Sequence, residues 1–355
     1  MKHWIATLAA GMTAATLSAV PVTAQETIRA TVIDGYPARA LWVAEFTDFF
    51  IPEVDKRLAE NGNYVMDWQE SYGGSIVKPR GVLEGLELGL GDIGIVTTIF
   101  HSSKLPSQAI AAVTPFVSAD ARAVAQAVDE IAREFPAMQA EFAEQNQVYL
   151  ATGVVLDSYQ VFGKEPINSL SDMEGAKIAG AGMNLRYLEG IPGAAGVRGG
   201  LTDFYNMLQT GLVEDAMLWP EAAATFKIAE VAPYMLKADL GSVNSKTITV
   251  NQDYWDGLPD EVKGVLQEVA VLYRDHVAGI AMDRAAASEE AYVAAGGTIV
   301  EMSDEARAAW AASLPDIASE WAATVEDGPA MLAAYLGKLE AAGYTGVRDW
   351  SAQTN

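Results

Sequence analysis

The chain has 355 residues, half of them hydrophobic and a fifth charged, which excludes a disordered or fibrous protein. Lys plus Arg number 23 against 47 Asp plus Glu, a formal charge of -24 that repels phosphate backbones and argues against a nucleic-acid partner. With no cysteine there are no disulfides, thiolate nucleophiles or thiolate-held metals.

The first 24 residues carry Lys2, an apolar stretch from Trp4 to Val20 and small residues up to Ala24, the pattern of a secretory signal peptide cleaved after Ala24. Thr7, Gly11, Thr13, Thr16 and Ser18 dilute its apolarity below that of a spanning helix. Cleavage removes Lys2 and leaves a mature chain of 22 basic and 47 acidic side chains in a bacterial periplasm.

After the cleavage point, residues 26–34 alternate as a strand and 38–58 carry Leu41, Phe46, Phe49, Phe50 and Val54 at helical spacing. A second strand ends at the glycines 73 and 74, a short helix follows Pro79, and DIGIVTTIF reads as a buried third strand. This βαβαβ order predicts a parallel α/β sheet. A helical region covers about 118–146, and a long β segment begins near Val148 and crosses between domains. A second α/β unit follows: a strand GAKIAG, a helix LTDFYNMLQTG closed by Gly211, and a strand LVEDAMLW. From Pro259 to Ala295 the sequence is almost uninterrupted helix, longer than roughly 50 Å and so longer than one small domain. The expected organisation is a first lobe over 25–150, rejoined by about 241–290, and a second over 151–240. The helix 259–295 spans both, and C-terminal helices fill 296–355.

Catalytic chemistry is hard to find. His101 and His276 are isolated and lack metal-ligand spacing, so no metal site is expected. The run AGAGMNL begins like a dinucleotide fingerprint but has Leu185 where the third glycine belongs, and no P-loop or GxSxG elbow occurs, so no cofactor is expected. An exported two-lobed α/β protein without a catalytic constellation fits capture of a small molecule by hinge closure.

Four phrases then occur in order: YGGSIVKPRGVLEGLELGLGDIGIV, YQVFGKEPINSLSDMEGAKI, DFYNMLQTGLVED, and NQDYWDGLPDEVK before the long helix. Together they resemble the solute-binding proteins of tripartite ATP-independent periplasmic (TRAP) transporters. The resemblance implies a two-lobed periplasmic binding protein fold, a cleft closing on one small solute, and delivery to a sodium-coupled membrane permease. Members most often bind carboxylates through an arginine in the strand after the phrase resembling SLSDMEGAKI. Here that register puts Ala179 at the anchoring position, and a second arginine used by some members falls on Tyr159.

A buried carboxylate without a cationic partner suffers several kcal/mol of desolvation, so the sequence predicts another ligand class. Period-2 geometry puts Asp157 on the same strand face as Tyr159. The resemblance places Trp219 at or beside a ligand-contacting position, with Glu221 two residues on. Trp68, Glu70 and Tyr72 end the second strand, and Phe100 closes the third. This aromatic and acidic set predicts a small amine or cation, ethanolamine- or choline-like. The alternatives are a carboxylate held by Lys177, Arg186 or Arg198, and, in another class, a periplasmic lyase-like enzyme using Tyr159 and Asp157.

Overall fold

The computed structural model describes residues 25–351, apart from the side chains of 153–155. The expected signal peptide and its cleavage site lie outside the described residues. In chain order the strands are β1 (Glu26–Ile33), β2 (Tyr64–Ser71), β3 (Ile93–Val96), β4 (Gln147–Ser158), β5 (Gln160–Gly163) and β6 (Lys177–Gly180). They continue with β7 (Ala195–Arg198), β8 (Asp215–Leu218), β9 (Tyr234–Lys237), β10 (Ser242–Asn251) and β11 (Thr298–Glu301).

Two sheets form two lobes, ordered β2-β1-β3-β10-β4 and β11-β9-β5-β8-β6-β7. Each opens as the alternation of strands and helices predicts, with parallel pairs β1–β2, β1–β3, β6–β7 and β6–β8. The sheets are mixed, however, not wholly parallel. The chain returns from the second lobe through β10, which enters the first sheet antiparallel to both β3 and β4. The sheet change falls at Tyr159, later than residue 151, because β4 stays paired with β10 as far as Ser158. Crossings at 158–160 and 238–241 make the two-stranded connection between lobes.

The span 38–58 is not one smooth helix. Leu41–Glu45 and Ile51–Asn61 are α-helical, and a wider π turn, Phe46–Phe50, separates them. Phe46 and Phe50 stack there at 4.2 Å, and Tyr273 of the long helix meets both rings edge-on. The expected third strand is also shorter than its apolar run. It stops at Val96, and Thr98–Phe100 turns as a 3-10 segment toward the cleft.

The helix Asp260–Ala294 is 35 residues long, about 52 Å at 1.5 Å per residue, and touches both lobes. In the first lobe its Arg274 pairs with the buried Asp129 at 2.6 Å, and Arg133 reaches the same carboxylate at 2.8 Å. Toward its other end Tyr292 donates to the Ala232 carbonyl at 2.6 Å and packs on Phe162, and Glu289 pairs with Lys237. The helix thus ties to the two lobes at two separate places. No helix among the described residues is long and apolar enough to cross a membrane.

Candidate functional site

The cleft faces of the two lobes meet around a small, partly open space. Tyr36, Thr97, Ile99 and Phe100 come from the first lobe, Ser245 and Lys246 from β10, and Tyr159, Ala181, Leu201, Phe204, Met217 and Trp219 from the second. The cavity is about 30 Å³, far too small for an organic solute, which therefore enters only when the lobes part.

Local structure explains the wall. Strand β1 ends at Ile33 and Tyr36 follows in the loop, while Phe100 ends the short 3-10 turn after β3. Tyr159 stands at the lobe crossing between β4 and β5, and Trp219 caps the helix Pro220–Thr225 directly after β8. These are the carboxyl ends of strands, where open α/β sheets collect ligands. The rings of Tyr159 and Trp219 meet at 5.5 Å, and Trp42 extends the cluster to Trp219 at 6.5 Å.

Lys246 supplies the charge. Its side chain is 2% exposed, and its Nζ lies 3.8 Å from the centroid of Trp42 and 5.4 Å from that of Tyr36. Its one hydrogen bond is a long one, 3.4 Å, to the Ser245 hydroxyl, and no described carboxylate comes within 4.0 Å. Two acids act on it from farther away, Asp34 and Glu221. Both are held by other donors. Asp34 accepts from the Tyr36 amide at 2.7 Å and the Trp42 indole at 3.0 Å, and Glu221 accepts from the Trp219 indole at 3.1 Å and Thr225 at 2.7 Å. Burial pushes Asp34 up and Lys246 down, each against the attraction of the other. The result is a cation solvated chiefly by ring faces, without a carboxylate in contact.

The other expected residues are distributed unevenly. Tyr159, Trp219 and Phe100 line the cavity, and Glu221 orients Trp219 from behind. Asp157 is buried but is not among the lining residues. Its Oδ1 takes the Ser158 amide, its Oδ2 has no partner, and burial pushes it up to about 7. Trp68 and Glu70 on the edge strand β2, and Tyr72 directly after it, are not among the residues lining the cavity. Trp68 donates to Asp55, and Thr47 bonds both Glu70 and Tyr72.

The proposed replacement anchors do not reach the cavity either. Lys177 is exposed at the start of β6, Arg186 is paired to Glu189 and Glu320, and Arg198 is exposed at the end of the edge strand β7. Ala179 is fully buried in β6 and offers only a methyl group, as expected. Sequence reasoning missed Lys246. It also missed Arg80, whose guanidinium lies 4.0 Å over Phe100 and donates across the cleft to the Gly199 carbonyl at 3.2 Å. No group of three or more His, Asp or Glu among the described residues is arranged to hold a metal.

Comparison with known proteins now decides the family. Residues 53–324 match the model of bacterial extracellular solute-binding protein family 7. The chain belongs to this family, that of the TRAP solute-binding proteins. A C4-dicarboxylate-binding periplasmic protein of Rhodobacter capsulatus is 32% identical over 122 residues, 34% of this chain. That match spans about a third of the relative's length, 36%. Among solved structures, a Bordetella pertussis solute receptor that binds pyroglutamic acid shares 16% identity with a TM-score of 0.77, covering 87% of this chain and 99% of its own. A marine metagenome TRAP solute-binding protein specific for aromatic acids, solved with 3-hydroxybenzoate, has a TM-score of 0.78 at 19% identity, covering 89% and 99%. The family and these fold neighbours are solute-binding proteins rather than enzymes. The ligands named for these proteins are acids, which fits the carboxylate alternative better than the amine expectation.

Proposed function

We propose that this protein captures a small organic carboxylate between its lobes in the periplasm and delivers it to the membrane permease of a TRAP transporter. The observation that carries this reading is Lys246, a buried cation on the cavity wall without a carboxylate in contact range. A desolvated lysine is stabilised by an anion brought to it, and a carboxylate pays least for its own burial beside such a charge. Lys246 thereby takes the role that the first lobe's partner lacks at Ala179, from β10 rather than β6. An ammonium solute would meet like charge at the same wall. The acids named for the similar proteins support the same class.

The test is a thermal-shift screen of the mature protein against matched small carboxylates and amines, repeated with Lys246→Met. Stabilisation by carboxylates that disappears in the variant is expected. Stabilisation by amines alone, or a carboxylate response untouched by the substitution, refutes the anchor.

A further inference from the structure

Charge is distributed in the cavity with one feature that restricts the solute further. Among the described lining residues Lys246 is the sole cation. The guanidinium of Arg80, over the lining ring of Phe100, is engaged with that ring and the Gly199 carbonyl. The two acids whose fields reach Lys246, Asp34 and Glu221, would repel a second carboxylate.

The remaining wall is more apolar than polar, with hydroxyls only on Tyr36, Tyr159, Ser245 and Thr97. Phe100, Tyr159 and Trp219 present rings, and Leu201, Phe204 and Met217 close the second-lobe side. A body carrying many hydroxyls would leave most of them unpaired there, at a cost of about 1–3 kcal/mol each in general. One polar atom is nevertheless waiting. Thr97 is 2% exposed, its Oγ1 has no hydrogen-bond partner, and it lines the same space as Lys246. Buried hydroxyls are normally satisfied, so this one points to a polar atom supplied by the solute.

We infer that the solute is a monoanion: one carboxylate on a flat or compact apolar body, with a single hydrogen bond to the Thr97 hydroxyl. This rests on the reading that Lys246 anchors a carboxylate. Lys246 sets the class, and the absence of a second cation facing Asp34 and Glu221 excludes dicarboxylates. The rings exclude polyhydroxy acids.

Titration calorimetry of the mature protein with phenylacetate, 3-hydroxyphenylacetate, succinate, D-glucuronate and choline tests it. Phenylacetate and 3-hydroxyphenylacetate should bind roughly a hundredfold more tightly than succinate or D-glucuronate. Thr97→Val, close in shape, should weaken the better of the two by about tenfold while leaving the melting temperature unchanged. Succinate or D-glucuronate binding as tightly as phenylacetate, with that binding lost in Lys246→Met, overturns the monoanion inference and leaves the carboxylate reading standing. Binding of choline alone overturns both. No binding by any probe overturns the inference, as does an unchanged affinity in Thr97→Val for its hydrogen bond.

Discussion

Trp42 contacts both Lys246 and Asp34: its ring face lies 3.8 Å from the lysine Nζ, and its indole N–H donates to the Asp34 carboxylate at 3.0 Å. The two opposite charges thus share one indole, by its face and by its N–H, without forming a contact pair. A closed pair would be satisfied and inert, whereas a separated one leaves the ammonium available at the cavity wall. Lys246→Met should accordingly remove carboxylate binding by roughly a hundredfold or more, the scale on which a buried ion loses its partner. Its melting temperature should not fall, because the substitution also removes a charge that burial disfavours. Calorimetry and a melting curve on the same sample check both, and intact binding with reduced stability would make Lys246 a purely structural residue.

The affinity should depend on pH in one direction. Burial pulls Lys246 down to about 7, and only its protonated form offers the carboxylate a charge. Asp34 acts with the same sign, since its protonated form repels the solute less. Binding is therefore expected to be tightest below pH 7 and to weaken above it, by up to about tenfold per pH unit while one proton is taken up on binding. Dissociation constants at pH 6, 7, 8 and 9 give the slope, and a flat profile over that range contradicts the assignment.

Stability without solute should also favour acid. Burial pushes the carboxyls of Asp157, Asp215 and Glu141 up to about 7, and Asp34 moves the same way. In the unfolded chain these groups release their protons near pH 4, so between about pH 4 and 7 the folded state holds more protons. Rising pH then favours unfolding, and the stability these groups contribute at low pH is lost as pH passes their folded values. A melting temperature several degrees higher at pH 5 than at pH 8 is expected, read by calorimetry in buffers of matched ionic strength.

Legibility in the sequence followed the strand ends. Tyr159, Trp219 and Phe100 could be placed because each sits where a strand gives way to a turn or crossing, a position fixed by the local pattern. Lys246 could not be placed. It lies inside β10, a strand whose ten residues are all buried, and a lone lysine there reads as a side chain turned to solvent. Only the non-local approach of Trp42 and Tyr36 reveals it. The pairing of Asp157 with Tyr159 on one face failed for a different reason. Register shifts run along β4 and β10, and Tyr159 leaves the first sheet at the crossing, so period-2 alternation does not carry through. Trp68, Glu70 and Tyr72 end a genuine strand, but β2 is the outer strand, and Thr47 and Asp55 of the covering helices bind these side chains.

Arg80 bridges the lobes without lining the cavity. Its single hydrogen bond across the cleft, to the Gly199 carbonyl, holds only when the lobes are together. Arg80→Met should raise the solute's dissociation rate by about three- to tenfold, the worth of roughly one charged hydrogen bond, with little change in the association rate. Stopped-flow measurements separate the two. A fall in the association rate instead would mean that the guanidinium attracts the solute rather than latching the lobes.

Gly182 offers the sharpest test of closure. It has φ +56 in the second lobe just after β6, and a Cβ added there would come within 2.2 Å of the Ile99 carbonyl oxygen in the first lobe. That contact is with backbone, which cannot swing aside as a flexible side chain would. Gly182→Ala should therefore hold the lobes apart by about the width of a methyl group and weaken solute binding by roughly tenfold or more. The left-handed backbone adds about 1 kcal/mol of strain for a residue with a Cβ. Because the collision is between lobes and not within one, each lobe should still fold and the melting temperature of the solute-free protein should fall only slightly. Small-angle scattering completes the experiment: the variant should stay extended at solute concentrations that compact the wild type. Equal compaction in both proteins would show that Ile99 and Gly182 do not meet when the solute is bound.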